Sequence, residues 1–350
     1  MEISNPAKNV IDFYVACNKN KTTLINEYSI LDDGTRRSKS IAEDLFESQM
    51  LALSLFSQSD GEYDTADISN TLLMIALSNL DFADFKNLSV SSKLQKLQNE
   101  YELNYFKEAN LANICVNNKD EVFKAYSNNS RFNEFNKYAR KLSTIKRKGW
   151  LDWNVQADRL ESDSEHIYSA QMLALAIYFE NYEYYKDLDI KKIILMLAIH
   201  ELGEAIIGDK TMLDIKKEDK QKIEHEAFRK IVSNLDLADK LFDLYLEFDN
   251  QTSPEGKFAK FIDKLECDLQ SKVYDETAFV DLRNQENNKW IGDELVQKLL
   301  FNKYQDDEYA WSKMWLEFGQ ILYHYDQPII DISNYAINNK IVNNMSGLTK

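Results

Sequence analysis

Apolar residues recur every three or four positions along almost the whole chain, the spacing of one face of an α-helix. Residues 10–30 read as a first helix ending at the turn-rich Leu31-Asp32-Asp33-Gly34-Thr35, and residues 40–58 as a second that carries Gln49-Met50-Leu51-Ala52-Leu53. The run Ile193 to Ile199 is apolar all round and predicts a buried helix, with Gly208 as the stop signal beyond it. Residues 217–233, 235–248 and 258–270 predict amphipathic helices, residues 280–325 further helices rich in Trp and Tyr, and the polar stretch 338–350 a loose tail. Only nine Gly and three Pro interrupt 350 residues, so the expected fold class is all-α, with length enough for two ordinary domains.

The pattern repeats. Gln171-Met172-Leu173-Ala174-Leu175 restates the first pentapeptide 122 positions later, and at that offset Arg37 meets Arg159, Ser40 meets Ser162 and Glu43 meets Glu165. Leu73 to Leu77 then falls on Leu195 to Ile199, and Phe106 on Phe228. Short Leu/Ala matches arise by chance, but one offset held across a loop argues for an internal duplication. Phe135 to Leu142 resembles both the stretch from Phe13, as the opening helix of a second copy, and Phe258 to Leu265, as a closing helix of the first. The opening-helix reading is favoured because it leads directly into Arg147-Lys148-Gly149-Trp150. The expected organisation is residues 1–130, residues 131–337 and a tail of residues 338–350.

The two copies differ where chemistry would lie. His166, His200, Glu201, Glu204 and Asp209 face Asp44, Ser78, Asn79, Phe82 and Asn87. The N-terminal copy keeps its apolar stripes and loses the polar cluster, so it is expected as a half-bundle without metal ligands, packed in pseudo-twofold relation against the other copy.

Composition narrows the function. A formal net charge of −16 disfavours nucleic acid or an anionic membrane surface as partner, and no apolar run is long enough to span a bilayer. Cys17, Cys115 and Cys267 are odd in number and far apart, which fits reduced thiols in a cytoplasmic protein. The expected partner is a small molecule, with the chain a monomer holding an internal pseudo-dimer, or a homodimer.

His200 to Asp209 concentrates three carboxylates around one imidazole at the end of the apolar run. Burying such a cluster is costly without compensation, most simply by a divalent cation. His-Glu-x-x-His, the zinc-protease helix, is absent because position 204 is Glu, and a satisfied core histidine beside a solvated acidic helix end remains an alternative. His166 lies on another predicted helix and Asp263 on a third, on a face otherwise built from Phe, Ile and Leu. Two imidazoles with Glu201 and Asp263 suit Mn, Co, Fe or Zn better than Mg. His225 and His324 read as surface or packing residues.

Residues 132–285 also resemble the HD-domain superfamily of metal-dependent phosphohydrolases, and in particular its 5'-deoxynucleotidase branch. The resemblance is carried by Arg147-Lys-Gly-Trp150, Asn154-Val-Gln156, Arg159 to His166, His200-Glu-Leu-Gly-Glu204, Gly208-Asp209, Lys217 to Lys220, and Gln251 to Phe258 running into Asp263 and Leu269-Gln270. It implies a compact helical bundle around one divalent metal held by His166, His200, Glu201 and Asp263. It implies removal of phosphate from deoxynucleoside 5'-monophosphates by a metal-activated water, with Glu204 assisting the water and Asp209 contacting the sugar or the proton path. Arg147 and Trp150 would line the phosphate and sugar pocket. The departure is Glu201, where the family has Asp; the extra methylene still lets a carboxylate reach the metal. A scaffold or nucleotide-binding protein disabled at Glu201, or a hydrolase of nucleoside triphosphates or alarmones, are the alternatives.

Overall fold

The computed structural model describes residues 5–31, 33–57, 65–80, 89–211, 214–286 and 288–342; Phe82, Asn87 and the tail beyond residue 342 lie outside them. The chain opens with α1 (Pro6–Cys17) and α2 (Lys19–Thr22), then a hairpin of β1 (Leu24–Ile30) and β2 (Arg36–Ser40). There follow α3 (Ile41–Phe56), α4 (Thr65–Leu77), α5 (Ser89–Asn104), α6 (Phe106–Asn117), α7 (Lys119–Ala125) and α8 (Ser130–Lys141). The second half runs through α9 (Lys148–Asp152), α10 (Asp163–Glu180), α11 (Tyr182–Tyr185), α12 (Ile190–Ile199), α13 (Glu204–Ile207), α14 (Lys217–Val232), α15 (Ala238–Asp249) and α16 (Pro254–Thr277). It closes with α17 (Glu294–Lys298), α18 (Ala310–Tyr323) and α19 (Gln327–Asn338).

The helix expected over residues 10–30 is a correction: it stops at Cys17, and residues 24–30 pair antiparallel with residues 36–40. The turn between them stands where its residues placed it. Gly34 takes φ +80°, and Asp33 Oδ1 accepts from Thr35 N at 2.9 Å. β-branched Thr22, Thr23 and Ile25 at the strand entry favour extended backbone over helix.

Two central helices organise the core. Ser40 starts α3 and Ser162 starts α10, each with a capping box completed by the glutamate three residues on, Glu43 and Glu165. The helices pack on each other. At their crossing, Gln49 Nε2 donates to Leu72 O at 2.9 Å and to Gln171 Oε1 at 3.1 Å, while Gln171 Nε2 donates to Ile194 O at 3.1 Å. Where the helices start, Arg37 reaches Glu43 (3.2 Å), Glu165 (2.8 Å) and Leu160 O (2.9 Å). Arg159 reaches Glu165 (2.8 Å), Glu43 (2.9 Å) and Ser38 O (2.9 Å). These contacts come in pairs related by the same sequence offset of 122. The opening helices cross over: α1 packs on α10 and α8 on α3, with Phe13 and Phe135 both fully buried.

One apolar cluster therefore runs through both halves, from Ala7 to Ile341. A second, aromatic cluster of Trp150, Trp153, Tyr274, Trp290, Trp311 and Trp315 lies beside it. Among the described residues, no helix is long and apolar enough to cross a membrane.

Candidate metal centre

Three helices deliver the polar cluster. His166 sits in the first turn of α10, and α12, apolar from Ile193 to Ile199, leads to His200 at its C-terminal cap. Beyond Ile199 the backbone tightens to bonds three residues apart, Leu202 N to Ile199 O and Glu204 N to Glu201 O, so Glu201 and Glu204 line up rather than His200 and Glu204. The turn ends at Gly208, φ +73°. On α16, Lys260, Asp263 and Glu266 follow at three-residue spacing along one face.

One ligand atom from each of His166, His200, Glu201 and Asp263 falls within 4.8 Å of all the others. Asp263 Oδ1 lies 3.1 Å from His166 Nε2 and 3.6 Å from His200 Nε2; Glu201 Oε1 lies 3.8 Å and 3.5 Å from the same two nitrogens. Donors held roughly 2.0–2.2 Å from a single ion stand about 3.0–3.6 Å apart, so this spacing suits one cation. Both rings face it with Nε2, because their Nδ1 atoms are spent: His166 Nδ1 donates to Glu266 Oε2 at 2.5 Å and His200 Nδ1 to Leu197 O at 2.8 Å. His200 Nε2 is buried with no hydrogen-bond partner. Glu201 thus enters the donor cluster despite its extra methylene.

A second group of oxygens adjoins the first. Asp163, Glu204 and Asp209 converge within 4.8 Å, and both oxygens of fully buried Asp163 and Oε2 of Glu204 have no hydrogen-bond partner. Such an all-oxygen set is one that a hard cation could occupy. Burial, reinforced by Glu201, Asp209 and Asp163, pushes the Glu204 carboxyl well above its usual range, and burial with Asp209 does the same to Asp163. Burial opposes ionisation of Glu201 too, but Arg147 and the imidazoles outweigh it and hold that carboxyl low. Asp263 is held low against burial by Lys260 and the two histidines.

The cluster opens into a cavity of about 370 Å³, lined by Arg147, Lys210, Lys220, Lys260 and Lys264 among others. Arg147 Nη1 bonds Glu201 Oε1 at 2.6 Å, and Asp209 Oδ2 accepts from Lys148 N at 2.5 Å. Trp150 borders the cavity, yet it is 2% exposed, and its Nε1 donates inward to Glu161 Oε1 at 2.7 Å. Its ring belongs more to the aromatic core than to an open wall. His225 bonds Asp249 at 2.8 Å and His324 is exposed, and neither belongs to the donor cluster. On the N-terminal side Ser78 and Asn79 are exposed, and Asp44 is ion-paired to Lys119 and Lys39.

Sequence reasoning missed Asp163, Glu266 and Lys260. Lys260 and Glu266 lie one turn either side of Asp263, and Asp163 lies three residues before His166, but residue type and spacing alone do not single them out.

Residues 139–299 match the HD domain family. The chain is 35% identical over 152 residues to the 5'-deoxynucleotidase HDDC2 of Dictyostelium discoideum, covering 42% of this chain and 79% of that protein. It is 34% identical over 148 residues to the human 5'-deoxynucleotidase HDDC2, covering 41% of this chain and 68% of the relative. A crystal structure from Pyrococcus horikoshii OT3 aligns at 27% identity with a TM-score of 0.36, over 49% of this chain and 93% of the archaeal one. The donor cluster lies inside the matched segment, and the identity extends over most of the slime-mould relative: the chain belongs to the HD-domain, 5'-deoxynucleotidase-like family.

Proposed function

We propose that the chain removes phosphate from nucleoside and deoxynucleoside 5'-monophosphates, with His166, His200, Glu201 and Asp263 holding one divalent cation. The observation that carries the reading is the pair of Nε2 lone pairs, each 3.1–3.8 Å from two carboxylate oxygens, at the floor of a cavity walled by lysines. A nitrogen-and-oxygen donor set favours Mn, Co, Fe or Zn over Mg. The bound ion would supply a water of lowered pKa and a positive charge against the phosphoryl oxygens.

The chain's own residues would do the rest. Glu204, buried and with Oε2 unpartnered, is placed to hold a proton and exchange it with the attacking water. Asp209, fixed by the Lys148 amide, borders the same space and would take the sugar or extend the proton path. Lys220, Lys260 and Arg147 would orient the phosphate, Arg147 sharing its guanidinium with Glu201. Names of relatives as 5'-deoxynucleotidases support the substrate class.

The N-terminal half, residues 1–130, we read as a degenerate copy of the half formed by residues 131–337. The paired Arg37/Arg159 and Gln49/Gln171 contacts support this. A substrate panel tests the activity: 5'- and 3'-monophosphates, di- and triphosphates, each assayed for phosphate release with Mn, Co, Zn and Mg after chelation. Release confined to 5'-monophosphates is expected; release only from triphosphates would overturn the assignment.

A further inference from the structure

The buried face of the metal centre is built partly by the opposite half of the chain. Glu266, 0% exposed, divides its two oxygens between two tasks. Oε2 accepts from His166 Nδ1 at 2.5 Å. Oε1 accepts from Ser169 Oγ at 2.5 Å and from Tyr14 OH at 2.9 Å, and lies 3.3 Å from the Lys21 ammonium. Lys21 is only 4% exposed. Its ammonium also pairs with buried Glu161 and bonds Gln270 Oε1 at 2.8 Å and Ser169 Oγ at 3.2 Å. Tyr14 and Lys21 stand on α1 and α2, more than 140 residues before the segment that carries His166.

We propose that Lys21, with Tyr14, is a positioning residue of the metal centre: it anchors Glu266 Oε1 so that Oε2 fixes the His166 ring with Nε2 turned toward the other donors. A carboxylate held by one hydrogen bond can rotate, and an imidazole whose Nδ1 partner rotates can change tautomer and withdraw its lone pair. Three donors from two halves of the chain remove that freedom from Glu266. A ring held this way keeps its lone pair on the metal side without reorganising when an ion arrives. The N-terminal half thereby completes the ligand environment of the other half.

This inference rests on the metal-centre reading above, and its test separates the two. In the full-length chain, Mn2+ and Co2+ affinities are measured by chelator competition, and the visible spectrum of the Co2+ form is recorded. Lys21→Met should weaken binding by roughly 10- to 100-fold and alter the Co2+ bands, and Lys21→Arg should restore much of both. Lys21→Met combined with Glu161→Gln removes a buried charge of each sign, keeps the fold nearer charge balance, and should show the same loss. Lys272→Met is the stability control. It breaks a comparably buried pair with Glu276 on α16, outside the donor cluster, so it should lower stability and leave metal affinity unchanged. Wild-type affinity and an unaltered spectrum in the Lys21/Glu161 double variant would overturn the proposal. A wild-type protein that binds neither ion would overturn the metal-centre reading itself.

Discussion

Replacing Arg159 with Met probes the junction between the halves most directly. Its guanidinium bonds Glu165 Oε1 at 2.8 Å, Glu43 Oε2 at 2.9 Å and Ser38 O at 2.9 Å. Glu43 and Glu165 are 0% exposed, and among the described residues Arg37 and Arg159 are the cations paired with them. Hydrogen bonds to charged groups contribute about 1.5–3 kcal/mol each, and leaving a buried charge short of its partner costs about 3–5 kcal/mol. These overlap, so about 3–5 kcal/mol is the expected loss. Arg37→Met should cost a similar amount, since it makes the mirrored contacts, and the double variant less than twice either, because the four groups share one network. The pH dependence follows from Glu43, which burial and the Glu165 charge already hold above the usual carboxyl range against both arginines. Losing Arg159 raises it further. An acid whose folded pKa exceeds its unfolded value has its full stabilising contribution below the unfolded pKa and loses it as pH rises through the folded one. The Arg159→Met penalty should therefore grow as pH rises from the usual carboxyl range toward neutrality. Urea denaturation across that range measures it. A loss under about 1 kcal/mol, flat with pH and absent in Arg37→Met, would refute the buried four-charge junction.

Other expectations concern the site and its support. Asp263→Ala should lose stoichiometric metal by elemental analysis and lower stability, whereas Glu204→Gln should keep the metal and lose turnover by roughly 10²- to 10⁴-fold. Glu201→Asp should retain metal and activity, and Glu201→Ala should lose both, in the same two assays. Gly319→Ala should destabilise by about 3 kcal/mol or more in chemical denaturation, because its Cβ would fall 1.8 Å from Asp268 Oδ2, which accepts from Tyr323 OH. Burial pushes Asp268 up to about 6. Its contribution is thus full below about pH 4 and lost as pH rises through 6, by at most about 3 kcal/mol, and Asp268→Asn should flatten that slope in a stability titration.

Much of the helical framework was legible because its signals are local. The capping serines, the apolar run of α12 and Gly208 each act within a few residues of themselves. The hairpin escaped for the opposite reason: β1 is largely exposed and lacks alternation, and its partner strand lies beyond a turn. The four residues of the donor cluster were found by chemical type and by resemblance, and the fold brings all four together. Glu266, Asp163 and Lys21 stayed hidden because nothing local marks them. A glutamate one turn past Asp263 and a lysine near the start acquire meaning only when α1, α2, α10 and α16 converge. Trp150, which the resemblance placed at the pocket, borders the cavity while its indole N–H is satisfied inside the core.

The central claim is that the four-donor cluster drives hydrolysis of a nucleoside 5'-monophosphate. The direct measurement is phosphate release from one deoxynucleoside 5'-monophosphate by fully chelated protein titrated with Mn2+ or Co2+, alongside Asp263→Ala. Turnover should be absent at the start, rise as ion binding saturates, and never appear in the variant. Turnover that survives chelation, or that Asp263→Ala retains, would contradict the account.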